Sequence, residues 1–233
     1  MTTFHDIAKG SDHMIRFLHV ATGIRVEFPA FVTEYSDSFQ VGWGNEAVFG
    51  RTDPIKPYQG TTRNISLGFD VLSGDLEQAK ENMRNYSTLV QMMYPVYNKP
   101  LSGGFEGRGR TIKAPPILRI QFMNLIKNNS ASTVEEGLLG CIGGFSFSPN
   151  REAGFYDQDN ELLPKMFNIS FRFDPQHETT LGFDEESFIN KDFPHNRSAA
   201  TPSNPRRKAG TAEVDEKKAE DLMRNMSKSL RGQ

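Results

Sequence analysis

The stretch Arg63-Asn64-Ile65-Ser66-Leu67-Gly68-Phe69-Asp70-Val71 decides the fold class, because its apolar and polar side chains alternate. Successive side chains of a β-strand point to opposite faces of a sheet, so this strand has one dry face and one wet face. Strands of a parallel sheet are covered on both faces and are apolar throughout. The alternation therefore predicts a strand of an antiparallel sheet.

Other parts of the chain repeat this pattern. In one of them, Cys141, Phe145 and Phe147 are predicted to share the apolar face, which makes Cys141 a small buried side chain. The turn formers Ala21-Thr22-Gly23 separate two short strands and predict a hairpin. Together the strands predict a mainly β fold, an antiparallel sandwich or barrel. The further predicted strands are 14–20, 23–28, 31–35, 38–43, 117–122, 141–147 and 167–173.

One segment has the period of a helix. Between Asp75 and Met93, apolar residues recur every three to four positions. Asp75 can cap the helix, with Gln78 as the partner three residues further on. Tyr94-Pro95 ends it, because a residue that precedes proline avoids helical geometry. One helix over residues 75–93 is therefore expected to pack on the β body.

Composition excludes several classes of protein. One cysteine cannot form an internal disulfide framework or a four-cysteine zinc site, and the five histidines have no metal-ligand spacing, so no metal or cofactor is expected. No run of about 18 apolar residues exists, so no membrane span is expected. The first ten residues carry Asp6 and Lys9 without an apolar core, unlike a secretory signal.

The formal charge of −2 conceals an uneven distribution. Nine basic and five acidic residues give residues 196–233 a charge of +4, which leaves −6 for residues 1–195. Residues 198–211 are rich in Ser, Pro and Arg and predict a flexible linker. Residues 215–230 place apolar side chains at helical spacing, which predicts a short amphipathic helix after the 1–195 domain. Such a helix is either a frayed terminus or a partner-docking helix, with Leu222, Met223, Met226 and Leu230 as its contacts.

A search for catalytic chemistry yields little. The glycine-rich segment 103–110 is followed by Ala114-Pro115-Pro116 and a strand, which is the wrong context for a phosphate-binding loop. Acidic pairs such as Glu135-Glu136 lie in polar stretches. No general acid and base can be paired from the sequence, so an enzyme is not expected.

The segment 43–63 is the strongest candidate for an interface. It is dense in turn formers, yet it also carries aromatic and arginine side chains, which are typical anchors of protein contacts. The simpler alternative is a loop that folds back on its own body, with Trp43 as a core plug. The candidate interface residues are Trp43, Phe49, Arg51, Asp53, Tyr58 and Arg63, of which Arg51, Asp53 and Arg63 are expected to form a charged cluster.

These landmarks occur in an order that resembles the tail-tube and tube-initiator proteins of contractile phage tails and related injection systems. Trp43-Gly44-Asn45-Glu46 runs through Gly50-Arg51-Thr52-Asp53-Pro54-Ile55 to Tyr58-Gln59-Gly60-Thr61-Thr62-Arg63, and a helix ends in Met93-Tyr94-Pro95. Strands led by Pro115-Pro116, Leu139-Gly140 and Pro164-Lys165 follow. The resemblance covers residues 28–175, and the 43–63 segment is its most specific part.

The resemblance implies an assembly protein. It implies hexameric rings in which strands of neighbouring subunits close one barrel around a DNA channel, in a virion assembled in the host cytoplasm. Expected partners are other copies of the chain, the tail tube protein, the baseplate hub and wedge proteins, and DNA in transit. The basic tail and the polar insertion 124–137 favour a baseplate-proximal tube initiator over a repeating tube subunit. A baseplate adaptor or wedge-type protein, a wall-degrading baseplate enzyme and a carbohydrate-binding sandwich remain alternatives.

Overall fold

The alternating strands form a seven-stranded antiparallel sheet in the computed structural model, which describes residues 13–98, 111–128, 137–158, 160–184, 189–190 and 193–195. The order in the sheet is β2-β1-β7-β8-β11-β4-β3, and β5 with β6 and β9 with β10 form two small hairpin-like sheets. The elements are β1 Met14–His19, β2 Arg25–Pro29, β3 Phe31–Trp43, β4 Tyr58–Leu72, α1 Leu76–Met92, β5 Val96–Tyr97, β6 Ile112–Ala114, β7 Leu118–Phe122, β8 Leu138–Pro149, β9 Phe155–Gln158, β10 Glu161–Pro164 and β11 Met166–Pro175. The predicted mainly β fold with one packed helix is confirmed.

The chain divides by its internal contacts into two units, Met1–Thr179 with Asp192–Arg197 and Thr180–Lys191 with Ser198–Gln233. The first unit contains every named strand and the helix. In the described part of the second unit, the Ile189 N–H donates to the Gly182 carbonyl over 3.0 Å. Residues 196–233 lie outside the described residues, and the predicted linker and docking helix, with Leu222, Met223, Met226 and Leu230, stay a prediction.

The core lies on one face of the sheet, as the alternation predicts. Ile65, Phe69, Phe167 and Phe173 are fully buried, whereas the polar residues between them point to the other face. Aromatic rings cross the core, with Phe17 and Phe171 in an edge-to-face contact at 5.6 Å. Aromatic pairs in this geometry contribute beyond the area they bury, about 0.5–1.5 kcal/mol each. The packing contacts that stabilise the fold are therefore concentrated on one face of the sheet.

Helix α1 begins where the sequence predicts. The Gln78 N–H donates to the Asp75 side chain over 2.8 Å, and the Gly74 N–H donates to the Gln78 side chain over 3.0 Å, which completes a capping arrangement. The buried residues of α1 are Ala79, Asn82, Leu89 and Met92, and Met83, Tyr86 and Met93 pack against the core beside them. The buried Asn82 amide donates to the Ser73 hydroxyl over 3.0 Å and is thereby satisfied.

The position of Cys141 was predicted wrongly. A β-bulge shifts the register between β8 and β11, so that Phe145 pairs with Phe171 but Ile142 pairs with Phe173. Each one-residue shift moves the following side chains to the opposite face of the sheet. Ile142 therefore packs against the core, and Cys141, opposite Asp174, is only partly buried. The sequence signal of the bulge is Gly143-Gly144, with Gly144 at φ +111°.

Strand β3 differs from the sequence prediction too. The two short strands predicted at residues 31–35 and 38–43 are one continuous strand that pairs with β4 from Phe31 to Trp43. The connection between β3 and β4 is consequently the tip of one long hairpin.

Candidate assembly interface

The outer part of the β3–β4 hairpin extends beyond the rest of the sheet. Strand β11 pairs with β4 only from Leu72 to Ile65, whereas β3 and β4 stay paired as far as Trp43 and Tyr58. We call residues 38–64 the distal hairpin. A two-stranded ribbon is at best marginally stable in water, so a ribbon of this length needs contacts beyond its own strands.

The distal hairpin exposes a run of large apolar side chains. Phe49 at the tip is 106% exposed, more than in a fully extended reference chain. On β3, Phe39 and Val41 lie on the face that is buried further along the sheet, because they pair with Arg63 and Thr61 in register with the core strands. Large exposed apolar patches are typical of interaction sites on soluble proteins. The exposed residues are Phe39, Val41, Trp43, Val48, Phe49, Ile55 and Tyr58.

The hairpin tip is ordered by local contacts. The Gly44 N–H donates to the Pro57 carbonyl over 2.9 Å, and Glu46 and Ile55 exchange two backbone hydrogen bonds of 2.9 Å. A turn follows in which the Arg51 N–H donates to the Val48 carbonyl and Gly50 takes φ +83°, a conformation that favours glycine. This geometry presents Phe49 to solvent.

The structure places Trp43 and Tyr58 together on the hairpin, with their rings edge to face at 5.5 Å. Both side chains are more than half exposed, so Trp43 does not plug the core of its own chain. Arg51 and Asp53 are exposed in the tip. Five of the six predicted interface residues are therefore accessible, and their role as an interface stays a prediction.

Arg63, the sixth, lies elsewhere. Its guanidinium donates to both carboxylate oxygens of Asp37, over 2.9 and 2.6 Å, and its side chain is 2% exposed. The expected charged cluster of Arg63 with Arg51 and Asp53 was therefore wrong, because Arg63 points to the inner face of the hairpin and pairs there. Sequence reasoning missed Asp37, although an acidic residue at a core-face position of a strand is a usable signal for a buried pair.

Three strands of the sheet have an edge without a partner strand among the described residues: β2 at one end, β3 at the other, and β8 along most of its length. Strand β8 pairs with β7 only through Leu138–Gly140, so the outer edge of residues 141–149 is open. Strand β3 ends the sheet on the other side, and its outer edge is open along Phe31–Trp43. Open strand edges present unpaired N–H and C=O groups to any other strand.

Between the open edges of β8 and β3 lies a polar face made by β8, β11, β4 and β3. Pairing in register places small hydroxyl and amide side chains next to one another, such as Ser146 opposite Ser170 and Ser36 opposite Ser66. A shallow depression on this face is lined by Glu34, Ser146, Ser170 and Arg172 and by the apolar residues Leu67, Phe145 and Phe171.

The charges of the polar face are predominantly negative. The carboxylates are Glu34, Asp70 and Asp174, and Arg172 is a guanidinium. Arg172 donates to Asp174 over 3.1 Å and to Asn64 over 2.9 Å, so its charge is already paired. This excess of carboxylates disfavours a lasting contact with a polyanion.

The described residues contain no group of three or more potential metal ligands. An open groove of about 890 Å³ between α1 and β10 is lined by Lys80, Arg84, Ser87 and Glu161 among others, with one carboxylate. No helix in the described ranges is long and apolar enough to cross a membrane. The glycine-rich segment 103–110 lies outside the described residues.

Comparison with solved structures shows a distant structural likeness. No known protein-family model and no curated protein matches the sequence. Among solved structures, a chain in the cryo-EM structure of the anti-feeding prophage (AFP) baseplate, 6-fold symmetrised, is similar at a TM-score of 0.28 and 9% identity. The alignment covers 70% of this chain and 89% of that one.

Proposed function

We propose that this protein is a structural component of a contractile phage tail or related injection system, and that it forms a hexameric ring at the baseplate-proximal end of the tail tube. The sequence resemblance of residues 28–175 suggests this role. The observation that carries the proposal is the pair of open strand edges on either side of a polar face. No catalytic activity is proposed.

Strand directions support closure by identical copies. Strands β8, β11, β4 and β3 are each antiparallel to the next. Because the directions alternate over an even number of strands, β3 of one copy is antiparallel to β8 of a second copy in the same orientation. Such a contact joins two different surfaces of the chain. Repeated contacts of this kind close into a ring when the rotation from one copy to the next divides a full turn evenly. In a closed ring this contact covers the open edges of β3 and β8 in every copy.

The polar face has the properties of a channel lining. In a closed ring the sheet face opposite the core is the one that carries Glu34, Ser66, Ser170 and Arg172. Its excess of carboxylates disfavours lasting contact with the phosphates of DNA, so that DNA in transit is not retained. We expect no bound cofactor.

The distal hairpin then contacts the next layer of the assembly. Its exposed apolar side chains suit a protein surface, and we propose that they meet the tail tube protein or a neighbouring copy. The baseplate hub and wedge proteins are the proposed partners of the predicted helix at residues 215–230. The assembled protein would reside in the virion after assembly in the host cytoplasm.

Crosslinking the full-length protein tests ring closure. Ser36 on β3 and Ser146 on β8 both lie on the polar face, one beside each open edge. We expect the double variant Ser36→Cys/Ser146→Cys, in a Cys141→Ser background, to give a ladder of covalent multimers with a short bismaleimide, ending at six. Ser36→Cys alone is the matched control and should stop at a dimer. Rings should also be visible by negative-stain microscopy.

A stable monomer at high concentration, with no ladder and no ring in the presence of tail proteins, would overturn the proposal. The adaptor or wedge-type alternative rests on the helical spacing of residues 215–230. It predicts that deletion of residues 215–233 abolishes incorporation into the particle while the ladder persists. Clearing of a peptidoglycan suspension by the purified protein would favour the wall-degrading alternative.

A further inference from the structure

The end of the described chain returns to the distal hairpin. Residues Phe193, Pro194 and His195, which we call the strap, lie against the inner face of β3 and β4, more than a hundred residues away in sequence. Residues that pack so far from their neighbours in sequence are held by specific contacts, and these contacts converge on Arg63 and Asp37.

The Arg63 and Asp37 side chains are 2% and 7% exposed. A buried ion pair offsets its desolvation cost only when its geometry and hydrogen bonds are good, and its attraction is stronger where water is excluded. The two hydrogen bonds between Arg63 and Asp37 meet the first condition. The exclusion of water depends on whatever covers the guanidinium.

Two aromatic rings cover it. The Arg63 guanidinium lies 5.3 Å from the centre of the Phe39 ring and 5.2 Å from that of the Phe193 ring. The two rings meet edge to face at 6.0 Å. Phe39 belongs to the hairpin, whereas Phe193 is supplied by the strap. Without Phe193, one side of the guanidinium is open to solvent, and its cation–π contact with that ring is lost.

The strap has two further attachments. The Phe193 ring meets the His177 ring at 5.3 Å, beyond the end of β11. His195 Nε2 lies 3.7 Å from an Asp37 carboxylate oxygen, and its ring meets Tyr35 at 6.3 Å. The strap therefore joins the end of β11 to the base of the distal hairpin.

We propose that the strap locks the distal hairpin in its extended orientation, with Phe193 as the positioning residue and the Arg63–Asp37 pair as the lock. When the strap is in place, the ion pair is dry and the base of the hairpin is fixed to the body. When the strap leaves, water reaches Arg63 and the hairpin is free to bend.

The strap is continuous in sequence with the basic segment 196–233, since residue 196 follows His195 directly. The lock does not depend on ring formation, and the test below uses the monomer.

Hydrogen exchange followed by mass spectrometry tests the lock on the full-length chain. We expect Phe193→Ala to speed the exchange of amides in residues 38–43 and 58–64 by about tenfold, because local opening of the hairpin becomes more frequent. Amides in residues 65–71 and 167–173 should exchange as in the parent protein. Tyr94→Ala, which removes a ring that is 65% exposed after α1, is the matched control and should change neither group.

Arg63→Lys gives an independent measurement. Lysine keeps the charge but loses the planar face between two rings and the two-point contact with Asp37. It should speed exchange of the hairpin amides in the same selective way as Phe193→Ala. Unchanged exchange in the hairpin of Phe193→Ala, or an equal increase in hairpin and core, would show that the strap does not lock the hairpin.

Discussion

Strand β4 passes through two environments in one continuous run. From Ile65 to Val71 its alternate side chains are buried in the core, whereas from Tyr58 to Thr62 they are largely exposed. Both parts have the backbone pairing of a regular antiparallel hairpin with β3. The difference lies in what covers them, because the inner part meets β11, β2 and α1, and the outer part extends beyond these elements. The alternation of side chains predicts which face of a strand is apolar. It does not predict whether that face is covered by residues of the same chain or by another molecule.

The largest expected difference between the two parts concerns the free energy of unfolding. Phe69 is fully buried and packs against Phe28 and Phe171, so Phe69→Ala removes transfer energy and leaves a cavity. We expect a loss of about 3–5 kcal/mol, measured by urea denaturation of the monomer. Phe49→Ala, the same chemical change at the hairpin tip, is the matched control. Equal losses for both variants would contradict the division of the hairpin into a covered and an uncovered part.

Much of this division is visible in the sequence. The alternation in residues 63–71 and 167–173 correctly predicts the core strands, and Asp75 with Gln78 correctly marks the start of α1. Trp43, Phe49 and Tyr58, the aromatic interface candidates of the sequence, are exposed on the hairpin, and their role as an interface stays a prediction. These features are local, since each depends on residues a few positions apart.

The remaining features depend on residues that are distant in sequence. The partner of Arg63 is Asp37 rather than Asp53, and Phe193, which covers it, belongs to a polar stretch without strand or helix period. The β8 bulge moves Cys141 off the apolar face through a register shift that pattern alone cannot locate. These features are determined by contacts between residues that are far apart in the sequence. The pattern of a single sequence does not show which residues make such contacts.

The boundary between the two parts can be probed at Tyr35, which pairs with Leu67. Its hydroxyl donates to the Leu125 carbonyl over 3.0 Å. Burial, aided by the negative charge of Asp37, raises the pKa of Tyr35 to about 12. Below about pH 10, the usual pKa of a tyrosine, the hydroxyl is neutral in both the folded and the unfolded chain, so its contribution is fully present. As the pH rises towards 12, the unfolded chain ionises first and this contribution is lost.

Tyr35→Phe should therefore lower the free energy of unfolding by about 1 kcal/mol at pH 8. The gap between parent and variant should shrink as the pH rises from 9 to 11.5, because the variant has no hydroxyl to ionise there. Urea denaturation across this range measures it. Tyr94→Phe, at a ring that is 65% exposed, should leave the free energy of unfolding unchanged throughout. A gap that stays constant with pH would mean that the Tyr35 hydroxyl titrates as it does in the unfolded chain.

The smallest expected effect on folding belongs to the hairpin tip, where the effect on assembly should be greatest. Phe49 is 106% exposed, so Phe49→Ser removes no contact within the chain and should change the free energy of unfolding by less than about 0.5 kcal/mol. If the tip meets the next layer of an assembly, the same substitution removes a central apolar anchor, which typically costs about 2 kcal/mol or more of binding. Co-sedimentation with tail proteins should then fall sharply, while the crosslinked ring ladder is retained. Loss of the ladder together with co-sedimentation would instead place Phe49 in the contact between neighbouring copies, and an unaffected assembly would remove the tip from the interface altogether.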